Sequence, residues 1–417
     1  MISKLPRTVG LALLVVLLAA VPVLGGCAGG EEAANKVVIG FMGDFTGPAA
    51  ATCKELHKAL TDHLKMVKED DPIPGVDVEL ITFDTRMEYS RVNQGYEWLR
   101  GRGADIFLNF NPIMQEMILE NHQQDGIATI CFVSTPELIS QDWSYSFSGH
   151  YPWEAEAIIK WITEDWAERP TGRPAKVGLV GISGYGSTDQ VSEKLNQLLE
   201  DGTYEFELAE QVGLPTTGYW TAEVDALDES DIIIVNSVGP QAASFVRDAV
   251  AKGYDGALIG TSIAFLGFWD LIKGAVESLD DIDGALSIHA HTVWTEDASF
   301  MDRVEASLSR FRESEAEELM KGTSYMTGIE LGMILVDTIR RAVAEAGADE
   351  VDAGALNDAM ASIDIDMTAE GFGESWKCHG GSNVLHRMVR IVQYWSSDDA
   401  WHPYPGSEWF LPPSLEQ

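Results

Sequence analysis

Two imidazoles stand two residues apart in His289-Ala290-His291, a spacing that puts both on one face of an extended strand, where they could share a metal ion. A metal centre needs three or four protein ligands, and no third Cys, His, Asp or Glu stands at a supporting spacing, so no metal is expected. Gly181-Ile182-Ser183-Gly184-Tyr185 begins like a nucleophile elbow but lacks the closing glycine of G-x-S-x-G. Gly184-Tyr185-Gly186-Ser187-Thr188-Asp189 fails the dinucleotide pattern G-x-G-x-x-G and has no lysine placed to hold a phosphate. Lys377-Cys378-His379 is an isolated cluster, and His57 and His63 on a helical stretch read as solvent-facing. No catalytic set emerges and no cofactor is expected. Reversible binding is the chemistry that remains.

The beginning of the chain says where that binding takes place. Lys4 and Arg7 precede an apolar run, Val9 to Leu24, which is short for a membrane span and suits the apolar part of an export signal. The run ends in Leu24-Gly25-Gly26-Cys27, which looks like a bacterial lipobox with Cys27 as the lipidated first mature residue. Residues 1–26 are therefore expected to be a lipoprotein signal peptide and 27–36 a tether. The formal charge of −38 becomes about −40 once Lys4 and Arg7 are removed. A surface this acidic repels phosphate backbones, which argues against nucleic acid as a partner. Of the four cysteines, Cys131 lies in the apolar run Ile127 to Val133 and reads as a core thiol, while pairing of Cys53 with Cys378 stays open.

Beyond the tether, compact apolar runs alternate with amphipathic stretches. Lys36 to Phe41, Val76 to Ile81, Ala104 to Leu108 and Ile127 to Val133 read as strands. Thr52 to Lys68, Ser90 to Arg100 and Met114 to Gln124 read as helices between them. The alternation restarts at Lys176 to Val180, Asp231 to Val235 and Ala257 to Ile259, with helical stretches over Gln190 to Leu199 and Gln241 to Ala251. Strand and helix in alternation predict an α/β fold of mostly parallel sheets, and two successive blocks predict two lobes. Ligands of such sheets sit beyond the carboxyl ends of the strands, at the loops beginning near Asp44, Asn109, Ser134, Ser183, Asn236 and Thr261.

Several segments, in order along the chain, carry a family likeness. They are Ile39-Gly40 with Phe45-Thr46-Gly47-Pro48-Ala49, Phe83-Asp84-Thr85, Ser134-Thr135-Pro136-Glu137-Leu138 and Tyr145-Ser146-Phe147. Gly184-Tyr185-Gly186, Gly239-Pro240-Gln241 with Ala251-Lys252-Gly253-Tyr254, and Ile391 to Trp395 follow. Together they resemble the Leu/Ile/Val-binding type of ABC-transporter solute-binding protein. The resemblance implies a two-lobed type I periplasmic-binding-protein fold with three hinge crossings, near Ser148, Ser287 to His291 and Met367 to Trp376. Lobe 1 would hold 37–147 and 290–366, and lobe 2 would hold 148–289 and 367–417. It also implies a monomeric, lipid-anchored solute receptor outside the cytoplasm that closes around a small molecule and delivers it to a membrane permease. A ligand-sensing module of a receptor system and a secreted enzyme are the alternatives. A sensor of this fold would usually continue into a membrane helix, and a secreted enzyme would need a catalytic set.

By the same resemblance, Ser134 supplies a hydroxyl to a ligand anion, and Tyr185 and Tyr325 supply aromatic walls and hydroxyls. Asn109-Phe110-Asn111-Pro112 replaces the family's serine pair, so Asn109 and Asn111 stand in as amide donors and acceptors. Phe45, Thr135, His150 and Ser262 complete the expected ligand set. His150, Tyr151, Trp153, Trp220, Phe268, Trp269 and Trp294 could wall an aromatic pocket or pack helix against sheet. After Gly260, where amino-acid binders carry an acid for the α-ammonium, this chain has Thr261-Ser262 followed by Ile263-Ala264-Phe265. A desolvated ammonium without a counter-charge is costly, so only Asp44 or Glu330 could substitute. The expected ligand is a small organic acid or amide. Because Cys27 ends the lipobox-like run, Cys27→Ala is expected to abolish incorporation of labelled fatty acid; acyl labelling that persists in the variant would refute the anchor.

Overall fold

The computed structural model describes residues 34–182, 186–214, 219–261 and 265–415. The expected leader and Cys27 lie outside that range. Val37, Val38, Ile39, Phe41 and Met42 of β1 (Asn35–Gly43) are all buried, as in a strand covered on both faces. β1 pairs in parallel with β2 (Val76–Asp84) and β3 (Ile106–Asn109), and β4 (Ala128–Cys131) and β5 (Ser144–Ser146) extend the sheet in the order β2-β1-β3-β4-β5. The second sheet has the order β14-β13-β10-β9-β8-β6-β7. Its parallel part comprises β6 (Ala175–Ile182), β7 (Phe206–Leu214), β8 (Ile232–Asn236), β9 (Ala257–Gly260) and β10 (Leu286–His289). Two short strands, β11 (Asp364–Ile365) and β12 (Trp376–Lys377), pair outside both sheets. β13 (Arg390–Trp395) and β14 (Ala400–Pro403) then close the second sheet antiparallel.

Helices cover both sheets. The first lobe carries α1 (Ala50–Asp70), α2 (Val92–Arg100), α3 (Pro112–Met117) and α4 (Leu119–Asp125). The single helix expected over Met114 to Gln124 is broken at Ile118, which leaves helical backbone angles (φ −110°, ψ 7°) with its side chain fully buried. The second lobe carries α5 (Tyr151–Ala167), α6 (Gly186–Asp201), α7 (Thr221–Leu227), α8 (Gly239–Lys252) and α9 (Trp269–Lys273). The chain then returns to lobe 1 as α10 (Ser299–Phe311), α11 (Ala316–Leu319), α12 (Ser324–Ala346) and α13 (Ala353–Ala361).

α1 and α12 approach closely because α12 presents glycines to α1. A Cβ on Gly328 would meet Ala59 at 2.5 Å, and one on Gly332 would meet the His63 ring at 2.7 Å. His63, expected at the surface, is therefore buried, and burial followed by the nearby Arg303 and Arg340 charges lowers its pKa to about 3.

The chain passes from lobe to lobe between Phe147 and Tyr151, between Val293 and Phe300, and between Leu385 and Val389. The second and last crossings lie later than expected. Met367, Phe372, Trp376 and Leu385, expected in lobe 2, join the core cluster of lobe 1. Leu385 and His386 donate their amides to the carbonyls of Ser146 and Phe147, so the third crossing runs beside the first. Rings at or beside the three crossings pack together: Phe147 lies 5.0 Å from His291 and 6.2 Å from His386, and Trp376 sits edge-on to Phe147 at 5.0 Å. Glu330 of α12 holds His291 Nδ1 at 2.6 Å. It is fully buried, on the inner side of its helix.

His386 is fully buried, and burial, then the neighbouring His291, lowers its pKa to about 3. A histidine whose folded pKa lies below the unfolded value of about 6.5 favours the folded state above that pH and loses this contribution as pH falls toward the folded value. The protein is therefore expected to lose stability by about 1.4 kcal/mol per pH unit for this group between about pH 6.5 and 4. Chemical denaturation of His386→Phe over that range should show a flatter acid limb than the parent; parallel curves would refute the assignment.

Candidate functional site

Loops that follow strands of both sheets line one small, partly open cavity of about 40 Å³. Lobe 1 lines it with Met87, Phe110, Asn111 and Phe132, and lobe 2 with Tyr151, Val238 and Phe268. Each residue follows from the strand that ends beside it. Phe110 and Asn111 come directly after β3, Phe132 and Val133 after β4, and Val238 two residues after β8. Met87, in the loop after β2, has a left-handed backbone (φ 55°) that few non-glycine residues adopt. No charged side chain lines the cavity.

The polar groups at its edge come from strand ends and helix starts. Asn111 caps α3 by accepting the Ile113 amide at 2.8 Å. Asn109, next to Phe110, donates to Gln115 at 3.3 Å and leaves its own carbonyl oxygen unpartnered. On the other side, Asn236 accepts the Thr261 hydroxyl at 2.9 Å, while its amide nitrogen and the Ser237 hydroxyl are buried without partners. Val238 is the N-cap of α8. It offers no side-chain cap, and the first turn of α8 holds no acid. Such a helix start carries partial positive charge and unsatisfied amides. α1 also lacks a side-chain cap, but Asp44 sits at its entrance and accepts the amides of Gly47 at 2.5 Å and Ala49 at 2.7 Å.

Neither acid considered as an ammonium partner lines the cavity, although Glu330 keeps an unpartnered Oε1. Asp44 is fully buried and braces its loop, and Glu330 is held by His291 at the hinge. Of the nine expected ligand residues, Asn111 lines the cavity, and Tyr185 and Ser262 lie outside the described residues. Ser134 is buried with its hydroxyl donated to the Thr135 carbonyl at 3.1 Å, and Thr135 bonds Glu116. His150 is the N-cap of α5: its Nδ1 accepts the Trp153 amide at 3.3 Å, and burial lowers its pKa to about 3. Phe45 packs edge-on against Phe41 and His57. Tyr325 does not reach the cavity. It is fully buried in lobe 1, with its hydroxyl 3.0 Å from Asp62, which Arg312 also holds, and 2.8 Å from Ser307.

Of the aromatic residues expected near the cleft, Tyr151 and Phe268 line the cavity. Trp220 and Trp269 are buried in the lobe 2 core, and Trp294 donates to the Gly322 carbonyl at 2.7 Å. Sequence reasoning missed Met87, Phe132 and Val238 as cavity residues: the strand-end rule pointed near Phe132 and Val238, but the loop after β2 that carries Met87 was not among the expected ones. Among the described residues, Cys53, Cys131 and Cys378 are free thiols, His289 and His291 pack 5.1 Å apart, and no group of three His, Cys, Asp or Glu is arranged to hold a metal ion. No helix among them is long and apolar enough to cross a membrane.

The family model described as Periplasmic binding protein matches residues 36–399. The chain belongs to the periplasmic binding protein family. Its fold is that of the Leu/Ile/Val-binding type. A branched-chain amino acid ABC transporter protein from Thermus thermophilus with bound valine superposes with a TM-score of 0.77 at 16% identity, over 92% of this chain and 98% of that one. A fatty acid ABC transporter substrate-binding protein from Thermomonospora curvata gives 0.72 at 17% identity, over 91% and 92%. A solute binding protein from R. palustris in complex with 4-hydroxybenzoate gives 0.71 at 14% identity, over 92% and 99%. No curated protein matches the sequence.

Asp44→Ala would orphan two backbone amides at the entrance of α1. It is expected to lower stability by about 1–3 kcal/mol. Equilibrium urea unfolding is the check; an unchanged midpoint would show that Asp44 does not brace the loop.

Proposed function

We propose that this protein is the solute receptor of an ABC importer, held outside the cytoplasm by a lipid on Cys27, and that its solute is a small apolar carboxylic acid. The supporting observation is the start of α8: an uncapped helix N-terminus at the edge of an apolar cavity that has no acid in its lining. A carboxylate fits there, because the Gly239 and Gln241 amides and the unpartnered Asn236 and Ser237 groups can donate to it. Pro240 offers no amide. The aliphatic or aromatic body of the ligand would lie among Phe110, Phe132, Tyr151 and Phe268.

An α-amino acid would bring an ammonium into the same space. Its natural counter-charges, Asp44 and Glu330, lie outside the cavity lining. The neighbours that bind 4-hydroxybenzoate and that carry a fatty-acid name agree with this preference, and the valine-bound neighbour is the competing precedent. We place Tyr185 and Ser262 among the contacts of the closed form, with Asn111 at the lobe 1 wall. Closure of the two lobes around the solute would bury it and present a joint surface to a permease.

A thermal-shift screen of the mature protein tests the ligand class. Aromatic and short aliphatic acids should raise the melting temperature, and leucine and valine should not. Val238→Asp places a carboxylate at the N-cap of α8, where it satisfies the helix start and repels an anion. The variant should fold at least as stably as the parent and bind the acid found in the screen at least tenfold more weakly, which is the direction expected from removing charge-assisted donors. Tight binding of leucine or valine, or an acid bound unchanged by Val238→Asp, would overturn the reading.

A further inference from the structure

The loop after β2 reaches the cavity through an unusual turn. Arg86 (φ 57°) and Met87 (φ 55°) both have left-handed backbones, and the Glu88 amide donates to the Thr85 carbonyl at 3.0 Å. Positive φ at both central residues makes this a type I′ turn. Such turns favour Asn-Gly or Gly-Gly, because a longer side chain crowds its own backbone in the left-handed region. Four non-glycine residues among those described have positive φ, and only Arg86 and Met87 are adjacent.

The turn is fastened in that shape from both sides. Thr85 is buried, and its amide and hydroxyl both donate to the Gly43 carbonyl, at 2.8 and 3.0 Å. Asp84 Oδ1 accepts the Arg86 amide at 3.2 Å, and Arg91 donates to the Asp84 carbonyl through Nε at 3.2 Å and Nη2 at 3.0 Å. Backbone strain of this kind persists where surrounding contacts over-determine it, and it clusters at ligand sites. A glycine at 87 would relieve the strain, but it would also remove a side chain that lines the cavity. That side chain is half-buried and packs against the lobe 1 cluster that includes Met42, Phe107 and Met114. Its neighbours at the lobe 1 wall have fixed places. Phe110 and Phe132 pack ring against ring with centroids 5.9 Å apart, and Asn111 caps α3. Met87 is the unbranched, readily rotated one among them.

We propose that Met87 sets the length of solute that the site admits, with the strained turn holding its side chain at the lobe 1 wall as the stop. The inference rests on the carboxylic-acid reading above. The carboxylate would be held from lobe 2 at the start of α8, and the apolar body of the ligand would run toward Met87. In a cavity of about 40 Å³, a lining side chain of this length decides what fits. A thioether makes a soft stop: it packs on the end of a chain that fits and must be displaced by a longer one. The strain has a role in this arrangement, because a side chain free to swing away with a relaxed loop would select nothing.

Calorimetric titration with two series of acids tests this, each lengthened one methylene at a time. One series runs from butyrate to decanoate, the other from benzoate to 4-phenylbutyrate. The parent should bind best at one length and lose affinity beyond it. Met87→Ala removes Cγ, Sδ and Cε; it should move the best length up by about two methylenes and tighten the first acid that the parent rejects on the order of tenfold. Met87→Gly makes the same opening with a residue that suits the left-handed backbone, so the test survives if the alanine variant folds poorly. Met87→Leu conserves volume and should keep the parental best length. A parent affinity that does not depend on length, or the same best length in the parent and the variant that opens the site, would overturn the role of Met87 and leave the acid reading standing. A parent that binds no member of either series would overturn both.

Discussion

Everything else in this molecule depends on how three strands of chain pass between the lobes. A crossing that carried a bare charge or a loose loop would let the sheets drift, and the loops at their carboxyl ends would no longer face each other. Here the crossings are packed ring against ring, with Phe147 from the first, His291 beside the second and His386 from the third. Glu330 and Arg390 tie this stack to α12 and β13: Glu330 holds His291, while Arg390 pairs with Glu296 and donates to the His291 carbonyl at 3.1 Å. Burial with so few polar partners keeps His289 and His386 neutral, and a hinge of neutral rings can bend without breaking a hydrogen-bond ladder.

The same constraint shapes the ligand site. The buried Glu330 carboxylate is needed at the hinge, and Asp44 is needed at the entrance of α1, so the acids that could have met an ammonium are absorbed by the scaffold. The described lining is largely apolar, with Asn111 and Tyr151 as its polar side chains. In the proposed reading, a carboxylate would find donors at the helix start, while an ammonium would meet no counter-charge in that lining.

The alternation of sheet and helix was legible because fully buried parallel strands read as unbroken apolar runs, as Ile232 to Val235 do. The edge strand β7, with Glu207, Glu210 and Gln211 among its residues, carries no such run and went unread. The third crossing was placed too early because Met367, Phe372 and Trp376 are apolar enough for either lobe, and only their contacts assign them to lobe 1. The cleft was legible at the level of loops, since ligand loops follow strand ends, but not at the level of side chains. Tyr325 shows why. Its hydroxyl is claimed by Asp62, 263 positions away, and no local pattern reports a partner at that distance. His63 is the same lesson on a helix, buried because Gly328 and Gly332 of another helix let α1 come close.

The proposed anionic solute would have to approach a chain with a formal charge of −38. The two scales of electrostatics resolve the conflict. Surface carboxylates act through water, and their field fades over about 8–10 Å at ordinary salt. The start of α8 acts over the first turn only, in a cavity whose walls are hydrocarbon, where a dipole is worth far more than it is in water. The net charge therefore governs solubility and the rate of encounter, while the helix end and the unpartnered amides beside it govern what stays bound.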